Sequence, residues 1–375
     1  MSSINTNNYF FQVAKLLLLG CFFLFVYDKS FKENYFNYDS IPYVASAYML
    51  SGNSLEESHA YAWNLLQKKS HPSVFKDLCC GSSYKKSMYE NTEAFGSHLP
   101  SYRTKSLYIL LIRSSSDLLS IDEFQALKII SFASVILIAL MASQLFFRES
   151  LLFYLCIFPL LFLMQIIPLG RLLTPDGLIG LLMLLAGISM LNGRIKLGYI
   201  VLLLSVLVRQ TNIIIYALFL LFEVKRKNYR AFSIFLALGL IVYWLNSVSF
   251  ESIGYWKTYY SSLISMPDTF IGFNPSFDIS ILLSTLLGKL NWMLGNSELN
   301  RLISLMILAL LLSLINLKNV KEIDLDDALV PVFFSAGAVI TYILIPFPDF
   351  RIYAGYLLAS IFTLIFGIAK RNKAD

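Results

Sequence analysis

Leu197–Phe222 reads LGYIVLLLSVLVRQTNIIIYALFLLF, two apolar runs joined by Arg209-Gln210-Thr211-Asn212. One continuous helix would carry Arg209 to the bilayer centre, at a cost of about 2.5 to 3.5 kcal/mol on insertion scales. It would also put Lys196 and the Lys225-Arg226-Lys227 cluster on opposite sides of the membrane, against the tendency of Lys and Arg to collect on the cytoplasmic side. Two short helices, about 197–208 and 211–222, meeting at a polar apex remove both conflicts. Each reaches only ~18 Å at 1.5 Å per residue, so the apex is expected inside protein rather than against lipid.

The rest of the chain sets this hairpin in a membrane. Of 375 residues, 57% are hydrophobic and 14% charged, more apolar surface than a soluble core of this size needs. Uncharged runs recur at 129–147, 151–168, 177–191, 231–248, 302–317, 329–346 and 352–369, each close to the roughly 20 residues that span the hydrocarbon. The stretch 9–27 contains Gln12 and Lys15 and is followed by a long polar segment instead of a small-residue cleavage site, so it reads as a retained first span. With the hairpin, the sequence predicts an all-α, polytopic bundle of about ten membrane segments in one domain, 1–375.

Net charge is +6, but the basic residues sit in clusters at segment ends, which points to topology and not to nucleic acid. Arg148, Arg194 with Lys196, Lys225–Arg230, Lys318 with Lys321, and Lys370, Arg371 and Lys373 all fall on one side if the segments alternate. That side is expected to be cytoplasmic, with both termini there. Residues 28–106 and 249–300 then become two outer loops, and 107–120, too short to span, reads as interfacial.

Sorting polar residues by side collects Asp39, Arg103, Arg171, Asp176, Arg209, Gln210, Asp349 and Arg351 at the outer ends. Asp39, just beyond the first span, can act as a general base under a folded loop, or it can simply cap the helix that follows. Thr174-Pro175-Asp176-Gly177 has the form of a helix entry, with Thr as cap, Pro at the first position and Asp in the first turn. Arg209 at membrane depth implies an anionic partner: a substrate phosphate that fits its planar fork, a structural pair with Asp176 or Asp349, or snorkelling. The 346–351 turn adds an acid and a cation that can equally form a local ion pair. His59, His71 and His98 lack metal spacing, although the carboxylates suit a hard cation such as Mg²⁺ held with a substrate phosphate. Cys21, Cys79, Cys80 and Cys156 also lack metal spacing, and Cys79 and Cys80, if joined, would close an eight-membered ring.

In this order, Tyr38-Asp39-Ser40-Ile41-Pro42-Tyr43 after the first span, a long first loop ending in Pro100-Ser101-Tyr102-Arg103, Thr174-Pro175-Asp176-Gly177, Arg209-Gln210-Thr211-Asn212 and Asp349-Phe350-Arg351 before the last span, the chain resembles the glycosyltransferase C superfamily. The resemblance implies transfer of a sugar from a polyprenyl-phosphate carrier to a glycan, lipid or protein acceptor, on the outer face of a bacterial inner (plasma) membrane, in cell-envelope polysaccharide biosynthesis. It implies Asp39 as catalytic base. Many members carry two neighbouring acids at that place, where this chain has Ser40. Arg103, Arg171, Asp176, Arg209, Gln210, Asp349 and Arg351 are the candidate substrate-binding residues, and by their planar charged forks Arg209 and Arg351 are the candidates for holding the lipid phosphate. The competing readings are a transporter or flippase of lipid-linked saccharides, a polysaccharide polymerase and a silent membrane scaffold.

Overall fold

The computed structural model describes residues 6–32, 35–318, 320, 325–347 and 349–371. Lys321 and Lys373, singled out above, and Pro348 of the 346–351 turn lie outside the described residues. Those described are built from helices and connecting turns, with no strand among them. Six helices are long and apolar enough to cross a membrane: Tyr9–Phe31, Glu123–Phe146, Tyr229–Ser249, Arg301–Lys318, Leu325–Leu344 and Phe350–Arg371. Shorter apolar helices cover Leu151–Leu163, Asp176–Leu191, Ile195–Val208 and Ile279–Trp292. Large aliphatic and aromatic side chains stand exposed along these helices, as at Leu24, Leu240, Trp244 and Leu311. Only lipid makes such a surface stable in quantity, and the chain is an integral membrane protein.

At the centre, Asp176–Leu191 packs along Phe350–Arg371. The two backbones approach at Gly180 and Gly355, where a Cβ on Gly355 would sit 3.2 Å from Gly180 Cα. Small residues at such crossings let helices gain dispersion energy where no hydrophobic effect drives them together. The Ser335 and Ser360 hydroxyls lie 2.5 Å apart, and both face the Pro331 carbonyl, at 2.9 and 3.0 Å.

The chain breaks at Arg209, as expected. Helix Ile195–Val208 ends there, Arg209 is extended (φ −154°, ψ 116°), Gln210–Asn212 forms one 3₁₀ turn and Ile213–Lys225 resumes. The Tyr199 hydroxyl donates to the Phe219 carbonyl at 2.7 Å. Two residues twenty positions apart can meet in this way only if the helices fold back on each other. The apex is tied down by Asn212, which donates to the Ser205 carbonyl (2.9 Å) and accepts from the Tyr356 hydroxyl (2.6 Å).

One expectation is corrected. The 151–168 run is not one continuous helix: it forms Leu151–Leu155, Ile157–Leu163 and Ile166–Arg171. Pro159 and Pro168 cannot bond back to the carbonyls of residues 155 and 164, so the helix stops at each of those places. The 28–106 segment is folded as helices, Ser40–Met49, Leu55–Lys69, Pro72–Cys80, Ser83–Glu90 and Thr92–His98. Helix Leu55–Lys69 opens with a capping box between Ser54 and Glu57, and Cys79 and Cys80 are joined as a vicinal disulfide. The 249–300 segment likewise contains Tyr255–Leu263 and the apolar helix Ile279–Gly295. Residues 107–120 belong to helix Ser106–Leu119, which packs on Glu123–Phe146, Ser40–Met49 and Ile195–Val208.

The basic clusters meet at one end of the bundle. Lys225 and Arg226 both reach Asp326 at 2.6 Å, and Lys370 reaches Asp327 at 2.7 Å and the Leu191 carbonyl at 2.6 Å. Asp176, Arg209 and Arg351 lie at the ends of the same helices remote from these contacts.

Candidate functional site

Asp39 precedes helix Ser40–Met49 but does not cap it through its side chain. The Ser40 amide is taken instead by the Asn37 side chain at 3.0 Å, which leaves the Asp39 carboxylate free to face inward. Its Oδ1 accepts from the Tyr102 hydroxyl and its Oδ2 from Arg351 Nη2, each at 3.2 Å. Loss of hydration, then the negative charge of Asp39, push the Tyr102 hydroxyl well above its ordinary pKa, so it stays a donor.

Arg351 links three acids. Its Nε donates to Asp349 at 2.6 Å and lies 3.9 Å from Asp176, while Nη2 serves Asp39. Asp176 is 2% exposed and binds Arg209 directly; it also accepts the Thr174 hydroxyl at 2.7 Å. Thr174 is therefore not the helix cap the sequence suggested: the helix begins at Asp176 with Pro175 in the cap position, and the threonine hydroxyl is spent on the carboxylate. Arg209 also donates to the Ile352 carbonyl at 3.4 Å. An extended residue at the hairpin apex and the first turn of the last helix are thus held on one buried acid.

Sequence reasoning missed Lys105. Asn246 holds it from both sides, donating to the Thr104 carbonyl (2.7 Å) and accepting from the Ser106 hydroxyl (2.6 Å). The Lys105 amine donates to the Tyr43 hydroxyl at 2.5 Å and sits 4.8 Å from the ring centres of both Tyr43 and Tyr102. Burial pushes its pKa down to about 8, against the opposing pull of Asp39. The available signal is a lysine beside Tyr102-Arg103 that runs against the charge bias.

These groups line a two-lobed cleft, each lobe about 250 Å³, with Asp39, Lys105, Arg209, Thr211, Thr258 and Ser262 common to both. The structure brings Asp39, Asp176, Arg209, Asp349 and Arg351 together and places Gln210 in the second lobe, bonded to Ser247 at 3.0 Å. Two expected members lie elsewhere. Arg171 stacks over the Tyr35 ring at 4.7 Å in a separate cavity with Phe31 and Phe124. Arg103 lies over the Phe250 ring at 5.5 Å in an apolar groove. Asp39, Asp176 and Asp349 face guanidinium groups and not one another, an arrangement that does not fit a hard-cation site. Among the described residues no group of three or more His, Cys, Asp or Glu side chains converges as a ligand set.

Fold and cleft together define an all-helical integral membrane protein with a polar, charge-paired cleft at one end of its bundle. Comparison with protein-family models, curated proteins and solved structures finds no match.

Proposed function

We propose that the protein is a membrane glycosyltransferase that moves a sugar from a polyprenyl-phosphate carrier to a hydroxyl acceptor. In this reading it lies in a bacterial inner membrane, crosses it about ten times and works on the outer face. The observation that carries the reading is the Asp39 carboxylate sharing one cleft with the cations Lys105, Arg209 and Arg351. Asp39 takes the proton of the acceptor hydroxyl as its oxygen bonds the anomeric carbon. The bond from that carbon to the carrier phosphate breaks, its electron pair leaves with the phosphate, and the three cations stabilise the charge that develops there. Arg209 and Arg351 offer the planar fork suited to phosphate, whereas Lys105 acts as a point charge.

The test incubates purified protein with a panel of polyprenyl-phosphate sugars and measures release of the free carrier. Asp39→Asn is nearly isosteric and should fold normally while lowering release by roughly 10² or more; full activity in this variant would remove Asp39 from the mechanism. The broken hairpin with its arginine at the apex supports a second reading, a carrier of lipid-linked saccharides. That reading expects substrate to cross vesicles with its sugar still attached.

A further inference from the structure

Arg103 stands apart from the Asp39 cleft although its neighbour Tyr102 bonds that carboxylate. It sits at a groove of about 250 Å³ whose walls are Leu50, Leu107, Leu110, Leu207 and Phe250, none of which lines either lobe of the cleft. Leu50 and Leu110 are 46% and 53% exposed, so the groove opens outward. It runs between helix Ser106–Leu119 and the apolar helix Ile195–Val208. Two polar features interrupt this apolar lining. No described carboxylate lies within ion-pair distance of the Arg103 guanidinium, which sits over the Phe250 ring at 5.5 Å. The Ser46 hydroxyl, in a residue 1% exposed, has no hydrogen-bond partner among the described residues. A buried hydroxyl left so costs free energy unless a ligand completes it.

We propose that this groove holds the aliphatic chain of an anionic amphiphile whose head, a phosphate or carboxylate, is bound by Arg103. The apolar walls take the chain, and the arginine selects against zwitterionic and neutral heads. The proposal does not rest on the transferase reading, because the groove shares no residue with the cleft that carries it.

The test uses dodecyl phosphate as probe, added to the protein in dodecyl maltoside micelles and scored by native mass spectrometry for retained adducts. Wild type should retain dodecyl phosphate at micromolar concentration and should not retain inorganic phosphate. Arg103→Gln removes only the head contact and should weaken retention roughly tenfold or more. Leu110→Trp, at the exposed edge where added bulk leaves the core intact, should block the chain and abolish retention with the arginine still present. Equal retention by wild type and Arg103→Gln would overturn the proposal, as would inorganic phosphate binding as well as dodecyl phosphate. Loss of retention in Lys105→Gln but not in Arg103→Gln would put the head in the Asp39 cleft and equally overturn it.

Discussion

Arg209 and Asp176, 33 positions apart, form a direct ion pair at the heart of the cleft, with side chains 15% and 1% exposed. The pair joins the hairpin apex to the entry of the central helix, and Arg351 stands 3.9 Å away on its far side. Removing the arginine would leave a buried carboxylate with one hydroxyl and one distant cation. Arg209→Ala should therefore destabilise the protein by about 3–5 kcal/mol, seen as a lower melting temperature in detergent. Arg209→Lys keeps the charge and should lose less stability, while donor affinity falls with the lost fork. An Arg209→Ala protein that melts with wild type would show that the pair is not holding the apex.

Lys105 gives the cleft a pH response. Its pKa is pushed down to about 8, so its charge fades as pH climbs through that value. If it helps hold the donor phosphate, donor affinity should weaken above pH 8. Lys105→Arg should stay flat through that range, and Lys105→Gln should be uniformly weak. For stability the sign is opposite: the folded state holds this proton less tightly than the unfolded chain, whose lysine titrates near 10.5, so this contribution grows as pH rises from about 8 toward 10.5. Affinity measured from pH 6.5 to 9.5 decides the first point, and a flat wild-type profile would exclude Lys105 from the phosphate contacts.

His98 gives a separate acid response. It is 3% exposed and packs its ring 4.3 Å from that of Phe270, at the junction of the two polar segments. Burial pushes its pKa down to about 4 from 6.5, outweighing nearby Asp268. The fold favours the neutral ring, so its contribution is complete above pH 6.5 and drains away as pH falls toward 4. Thermal melts across this window should show wild type losing stability faster than His98→Gln. Parallel slopes would mean that the ring is hydrated in solution.

Topology can be tested without any assay of activity. In a background lacking its own cysteines, single cysteines in 28–106 and 249–300 should react with an impermeant maleimide from outside. Those in 192–196, 223–230 and 318–328 should react only after permeabilisation. Labelling of 223–230 from outside would overturn both the hairpin crossing pattern and the outer placement of the cleft.

Some of this was legible in the chain itself. The break at Arg209 could be read because the cost of an arginine at membrane depth is a local quantity, and the clustering of Lys225, Arg226 and Lys370 at one end followed from the same charge rule. Other local signals were present but outweighed: Pro159 and Pro168 interrupt a run whose lack of charge suggested one unbroken helix, and Ser54 with Glu57 caps a helix inside the 28–106 segment. Hydropathy along the sequence thus determined by itself that the chain lives in a membrane, and where one helix must give way to two. The choice of partners was decided only by the tertiary structure. Arg351 meets Asp39 across 312 positions, and Arg171 and Arg103 turn into other cavities, because which helix ends converge depends on how surfaces such as Gly180 and Gly355 pack, and packing complementarity between distant segments leaves no trace in the spacing of charges along the chain.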